Sequence, residues 1–294
     1  MRHDVRVAVG QEVPPVPEVR AHPHKGYEAI SRRDKQGVSM NKKVVIVIQA
    51  RLKSRRLPNK VLMKINGKTI LHHLIVRLKM AKNVDEIVVA TTANPDDRAI
   101  VRETKRIARS IKDKNISAST GPEEDVLLRI LQAAEERGAD IVVRVCGENI
   151  FTCPEEIDRM VKMMAEEKID IVHNKRFDPD KKTVPLGMGC EVIDMWTLRK
   201  LDVLAKNMRH RSNVTFYAFE NPELFNIKVL ENKEFSIDAR LTIDYKEDFI
   251  LISKIIENVG ENATTKQIIN FLKKNPSLLL MNSRYIDNWN APKL

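Results

Sequence analysis

The chain has 294 residues, 43% apolar and 31% charged, which suits one large folded domain or two modest ones and excludes a wholly disordered chain. The net charge of +11 is local: residues 41–84 carry twelve basic and no acidic side chains, residues 1–40 net +2, and residues 85–294 net −3. A block of that kind reads as an anion site, for phosphates of a small molecule or a nucleic-acid backbone.

Residues 1–40 hold no Leu or Phe but four Pro and three Gly, so they read as a disordered extension, with Met40 a candidate start of the functional unit. A partner-binding tail is the alternative. From residue 41 to the end the expectation is one domain. The β-branched run at 44–48 predicts a buried strand, and the spacing of Ile70, Leu71, Leu74, Ile75 and Leu78 predicts a helix over 69–81. Further strands are expected at 86–91, 115–119, 140–145 and 170–173, and helices at 95–109, 123–137 and 154–168. The later half is less regular. Strands are expected at 190–193, 223–230 and 240–243, and helices at 196–207, 245–259 and 264–275. Strands alternating with helices imply an α/β fold with a mostly parallel sheet.

No apolar run approaches the ~18 residues of a membrane span, and no secretory leader is evident. Three widely spaced cysteines, Cys146, Cys153 and Cys190, suggest no disulfide framework and suit a cytoplasmic location. The pairs and motifs of zinc sites are missing. His72 and His73 read as structural, Cys146 as a packed small residue, and Met160, Met163 and Met164 as one core face of a helix. Lys105, Arg106 and Arg109 read as solvated; Trp289 has no clear role.

In parallel α/β sheets ligands bind beyond the carboxyl ends of the strands. The loop after the first strand reads Gln49-Ala50-Arg51-Leu52-Lys53-Ser54-Arg55-Arg56-Leu57-Pro58-Asn59-Lys60. Its five cations match phosphate oxygens, Arg as a fork of donors and Lys as a compact charge. It is neither a Walker A loop nor a GxGxxG turn.

The run Ile48-Gln49-Ala50-Arg51-x-x-Ser54-x-Arg56-Leu57-Pro58-x-Lys60-x-Leu62 resembles the opening motif of the cytidylyltransferases, among them the acylneuraminate and deoxy-octulosonate enzymes and the spore-coat polysaccharide group. Ile65-Asn66-Gly67-Lys68-Thr69-Ile70-Leu71 is similar to a segment of sugar nucleotidyltransferases. The likeness continues in order through Gly121-x-Glu123-Glu124-Asp125-Val126-Leu127-x-Arg129, Val143-Arg144-Val145-x-Gly147, Glu191-Val192, Val214-Thr215-x-Tyr217 and Leu241-Thr242-Ile243-Asp244-x-x-Glu247-Asp248.

The resemblance implies a three-layer α/β/α fold with a mostly parallel mixed sheet, of the nucleotide-diphospho-sugar transferase (GT-A-like) type. It implies transfer of CMP from CTP to a sugar, an acidic one by the nearest groups, with release of pyrophosphate in cell-surface glycan synthesis. Arg51 and Lys60 then serve the chemistry. Ala50, Arg51, Ser54, Arg56, Lys60, Gly121, Asp125 and Arg129 bind nucleotide, and Glu191, Arg211, Asn213 and Thr215 bind the sugar. Mg²⁺ falls to Glu148 and Asp244; a helix N-cap is the other reading of Asp244. A homodimer is expected by analogy.

The chain also departs from the pattern. Glu148 stands for the usual Asp, its extra methylene displacing the carboxylate by about 1.5 Å. Ile150 stands for Pro, Cys153 and Gly189 for Asp, and Ser212 and Asn213 for Glu and His. These departures motivate a second reading, a nucleotide or nucleotide-sugar binder without turnover. Nucleic-acid binding ranks third, because the basic block has few interleaved aromatics and much of its charge belongs to the motif.

Overall fold

The computed structural model describes residues 42–176 and 180–286. The expected N-terminal extension and Trp289 lie outside them. The chain runs β1 (Val44–Gln49), β2 (Lys64–Ile65), β3 (Lys68–Thr69), α1 (Ile70–Leu78), β4 (Glu86–Thr92), α2 (Arg98–Ser110), β5 (Ile116–Gly121), α3 (Val126–Glu136) and β6 (Ile141–Cys146). It continues through α4 (Pro154–Glu166), β7 (Ile171–His173), β8 (Glu191–Asp194), α5 (Met195–Leu204), α6 (Met208–Asn213), α7 (Phe216–Glu220), β9 (Ile227–Val229), α8 (Lys246–Val259) and α9 (Thr265–Lys274).

Seven strands form one sheet in the order β5-β4-β1-β6-β8-β7-β9. The pairs β5/β4, β4/β1, β1/β6 and β7/β9 are parallel, and β8 is antiparallel to both neighbours. Because β8 runs backwards, its first residue, Glu191, lies at the edge where the parallel strands end. There it pairs with Arg144 of β6 and His173 of β7.

Side chains alternate across each strand, so one strand feeds two cores. Val45 and Val47 join Leu127, Ile130 and Leu131 of α3 and Leu198 and Leu201 of α5. Ile46 and Ile48 point the other way, into Leu71, Leu74 and Ile75 of α1, Met160 of α4 and Ile252 of α8. The sheet is therefore covered on both faces, the three-layer arrangement expected. Met160 and Met164 lie in the core as read, with Met163 partly buried against it.

The differences from the sequence reading have local causes. Residues 240–243 are not a strand; only the bridge Leu186↔Arg240 forms. The backbone groups there go elsewhere: Leu241 N–H donates to Leu186 O, Ile243 N–H to Glu148 O, and Arg240 O accepts from Asn282. The strand expected over 223–230 shortens to β9, because Pro222 opens a 3-10 turn ahead of it. The helix expected over 196–207 ends at Leu204, and Asn207 caps a separate α6. Asp244 is not the N-cap of α8. Tyr245 is, and the buried Asp248 accepts the N–H groups of both Asp244 and Tyr245.

Candidate active site

The loop after β1 is pinned at both ends. Ala50 N–H donates to Ala90 O, Leu52 N–H to the Asp97 carboxylate at 2.8 Å, and Asn59 N–H to Leu52 O. Asn59, at φ 58°, then turns the chain into the short 3-10 helix Lys60–Leu62. Arg51, Lys53, Arg55 and Arg56 are exposed, though Arg56 reaches back to Asp244, while Lys60 turns inward and is buried.

Lys60 is 8% exposed, and its ammonium lies 2.9 Å from Asp244 Oδ1 and 3.5 Å from Glu148 Oε1. Burial alone would lower the Lys60 pKa, but the two carboxylates outweigh it and raise it. Arg56 reaches Asp244 Oδ1 at 2.7 Å, and Arg240 reaches Asp244 Oδ2 at 2.9 Å. Burial would raise the Asp244 pKa; Lys60, Arg56 and Arg240 hold it below the ordinary value. Arg240 is oriented by Asp248, 3.0 Å from its Nε. The Tyr245 ring lies 5.1 Å from the Arg56 guanidinium and stacks on Tyr285 at 3.8 Å.

Glu148 gets there because Gly147 lets two chain segments touch. Gly147 N–H donates to Gln49 O, and a Cβ on Gly147 would meet that oxygen at 3.0 Å and the Ala50 Cβ at 3.2 Å. Glu148 and Asp244 thus converge on one ammonium from segments almost a hundred residues apart. Among the described residues no set of three or more acidic, His or Cys side chains forms a metal cage. Two hard oxygen donors beside a phosphate-type loop nevertheless suit Mg²⁺, which takes one or two carboxylates and completes its shell with phosphates and water.

Two cavities meet here. One, of ≈ 460 Å³, takes in Ala50, Arg51, Ser54, Lys60 and Arg129. The other, of ≈ 330 Å³, takes in Arg144, Lys175, Asn213, Tyr245 and Tyr285. Gln49, Arg56, Glu148, Ser212 and Asp244 border both.

The remaining expected residues fall into distinct places. Arg51 faces Glu123 and Glu124 at 3.7 and 3.8 Å across the mouth of the first cavity. Ser54 Oγ accepts from Leu57 N–H inside the loop. Gly121 ends β5 against Arg129, whose Nη1 donates to Pro122 O and Glu123 O; burial and then Arg51 push the Arg129 pKa down to about 10. Asp125 caps α3 through Leu128 N–H and takes Arg211 on its other oxygen. Arg211 is spent on Asp125 and Asp202 and borders neither cavity. Glu191 and Thr215 are fully buried and bonded to each other at 2.7 Å. Of the four expected sugar-binding residues only Asn213 reaches the second cavity.

The segment carrying Asn213 is strained. Val214 has φ 57° and ψ −66°, and Thr215 N–H donates to Asn213 O at 2.7 Å. This is the rare left-handed γ-turn, costly for a β-branched residue. It sends Thr215 down to Glu191 and keeps Ser212 and Asn213 at the cavity wall.

Sequence reasoning missed Lys175, Tyr245, Tyr285 and the site role of Arg144. A charged residue inside the apolar strand Val143-Arg144-Val145 was a signal; Lys175 and Tyr285 offered none.

The three-layer fold, with its cation-rich loop beyond β1, is shared with solved nucleotidyltransferase structures. The cytidylyltransferase family matches residues 45–275, and the chain belongs to that family. An uncharacterized protein of Methanocaldococcus jannaschii is 36% identical over 244 residues, covering 82% of this chain and 95% of its own. The spore coat polysaccharide biosynthesis protein SpsF of Bacillus subtilis is 28% identical over 242 residues, covering 79% and 95%. The structure of a cytidylyltransferase from Leptospira borgpetersenii superposes with a TM-score of 0.72 at 31% identity, over 81% of this chain and 97% of that one.

Proposed function

We propose that this protein transfers CMP from CTP to an acidic sugar and releases pyrophosphate, in the synthesis of a cell-surface polysaccharide or glycan. The observation that supports this is the shared border of the two cavities, where Lys60 lies between Glu148 and Asp244. A triphosphate in the first cavity meets Arg51, Arg56 and Lys60. An acceptor in the second presents its hydroxyl across the same border. The hydroxyl oxygen bonds to the α-phosphorus, the bond from the α-phosphorus to the bridging oxygen breaks, and pyrophosphate leaves with that electron pair as the hydroxyl proton is released. Buried Lys60 and half-exposed Arg56 offset the charge that grows on the leaving group.

Glu148 and Asp244 would hold Mg²⁺ together with the phosphates. When bound, the ion supplies further neutralisation of phosphate charge. On this reading, Lys60 and Arg56 exchange Asp244 for phosphate oxygens as the nucleotide enters.

The test is pyrophosphate release from CTP, with UTP and GTP alongside, across sugar acids, sugar phosphates and neutral sugars. CTP with a sugar acid should react, and Lys60→Ala should lower the rate by about 10²-fold or more. An undiminished rate in that variant would refute the assignment. The second reading, a nucleotide binder without turnover, draws on the three cations that enclose Asp244. It predicts CTP binding by calorimetry with no release from any pair.

A further inference from the structure

We propose that Tyr285, in the 3-10 turn Ser283–Tyr285, is a positioning residue: through Tyr245 it holds the Arg56 guanidinium where an entering triphosphate meets it. The inference rests on the nucleotidyl-transfer reading of the site. It adds a residue that lies outside the stretch 45–275 matched by the family.

Arg56 is poorly fixed by its own surroundings. Its side chain is 49% exposed, and its ion pair with Asp244 is the contact that phosphate oxygens replace. A half-exposed arginine released from its carboxylate samples many rotamers, and losing that freedom again weakens whatever it then binds. The Tyr245 ring, 5.1 Å from the guanidinium, is the partner that stays. An aromatic face attracts a cation without dictating its hydrogen-bond partners, so the contact survives the exchange of carboxylate for phosphate.

Tyr245 is in turn held by Tyr285, whose ring stacks on it with centroids 3.8 Å apart and planes 6° apart. The turn that carries Tyr285 has a buried anchor. Asn282 is 1% exposed, and its amide donates to Arg240 O at 2.9 Å and to Asp248 Oδ1 at 2.7 Å. Arg284 pairs with Glu247, donates to the Tyr285 hydroxyl at 2.8 Å and lies 4.8 Å from that ring. The row Arg284, Tyr285, Tyr245, Arg56 thus leads from an anchored turn to the border of the two cavities. Asn282 also touches the Arg240–Asp248 pair that orients Asp244, so changing it disturbs the carboxylate as well. Truncating Tyr285 removes the stack alone.

The experiment is a calorimetric titration of CTP into the whole chain, Tyr285→Ala, Tyr285→Phe, Arg56→Ala and the double variant Tyr285→Ala/Arg56→Ala. Tyr285→Ala should weaken CTP binding about fivefold, the size of a cation–π contact at a partly exposed site. Tyr285→Phe keeps the ring and should stay within about twofold of the parent. Added to Arg56→Ala, Tyr285→Ala should cost less than about twofold, because no guanidinium remains to be positioned. An equal loss with and without Arg56 marks a merely structural role and overturns the proposal. So does undiminished binding by Tyr285→Ala.

If the parent does not bind CTP, the nucleotide reading fails separately. The position of Arg56 is then read from its Nε–Hε NMR signal, identified by its loss in Arg56→Lys. In the parent and in Tyr285→Phe the Tyr245 ring should displace that signal from the position of free arginine. Tyr285→Ala should return it most of the way. A parent signal at the free position, or one that Tyr285→Ala leaves in place, overturns the proposal.

Discussion

Glu191 is a carboxylate with no access to water and three donors on its two oxygens. Burial would raise its pKa, but Lys175, Arg144 and the Thr215 hydroxyl win and hold it at about 2. The folded-state pKa is depressed from 4.5, so the group contributes stability that is present above pH 4.5 and lost as pH falls toward 2. The full effect is on the order of 3 kcal/mol. Thr215→Val removes one of the donors, raises the folded-state pKa and should shrink the stability lost to acid, read as the fall in urea midpoint between pH 6 and 2.5. Superimposable profiles for the two proteins would mean that the hydroxyl does not hold the carboxylate down. The charged centre at Lys60 was legible only in part. The density of cations in residues 51–60 pointed to it, but the Lys60 partner Asp244 lies 184 positions away, and no local pattern announces that pairing.

Elements with regular periodicity were readable from the sequence, and those built by loops were not. β1, β4 and β6 are β-branched runs buried on both faces, which is how parallel strands under two helical layers look. The β2–β3 hairpin went unread although its signal was present. Asn66 and Gly67 both take positive φ, 50° and 77°, the requirement of a two-residue hairpin turn. Residues 240–243 carried strand-like side chains, but their backbone groups bond to loops. One wall of the second cavity depends on the same region. Gly187 has φ 93°, and a Cβ there would lie 2.2 Å from Thr242 N and 2.4 Å from Leu241 C. Gly187→Ala should therefore destabilise the fold by about 3 kcal/mol, at the upper end of backbone strain, and raise the acceptor KM while CTP affinity stays. Thermal unfolding and calorimetry of the variant check both parts; an unchanged melting temperature would show that the loop yields freely.

Across the whole molecule, the cation-rich loop, the segment after β6 and the segment leading into α8 meet at Lys60, whose ammonium faces Glu148 and Asp244. A triphosphate entering there should tie these three parts together. CTP at a hundred times its Kd should stabilise the protein by about 2.7 kcal/mol, which for a body of this size raises Tm by about 5–10 °C. Lys60→Ala should abolish the rise. An equal rise in the variant would place the nucleotide elsewhere. No helix among the described residues is long and apolar enough to cross a membrane.

The reversed strand β8 has a consequence for how such a protein diversifies. Two territories lie along the edge where the parallel strands end. On one side β5, β4 and β1 run parallel and end at the cation-rich loop and the turn before α3. On the other, β6, β8 and β7 bring Arg144, Glu191 and Lys175 together from three separate stretches of chain. On the proposed reading, changes in the second territory would re-specify the acceptor without touching the triphosphate grip, so one scaffold would serve different acceptors by altering only half of its working edge.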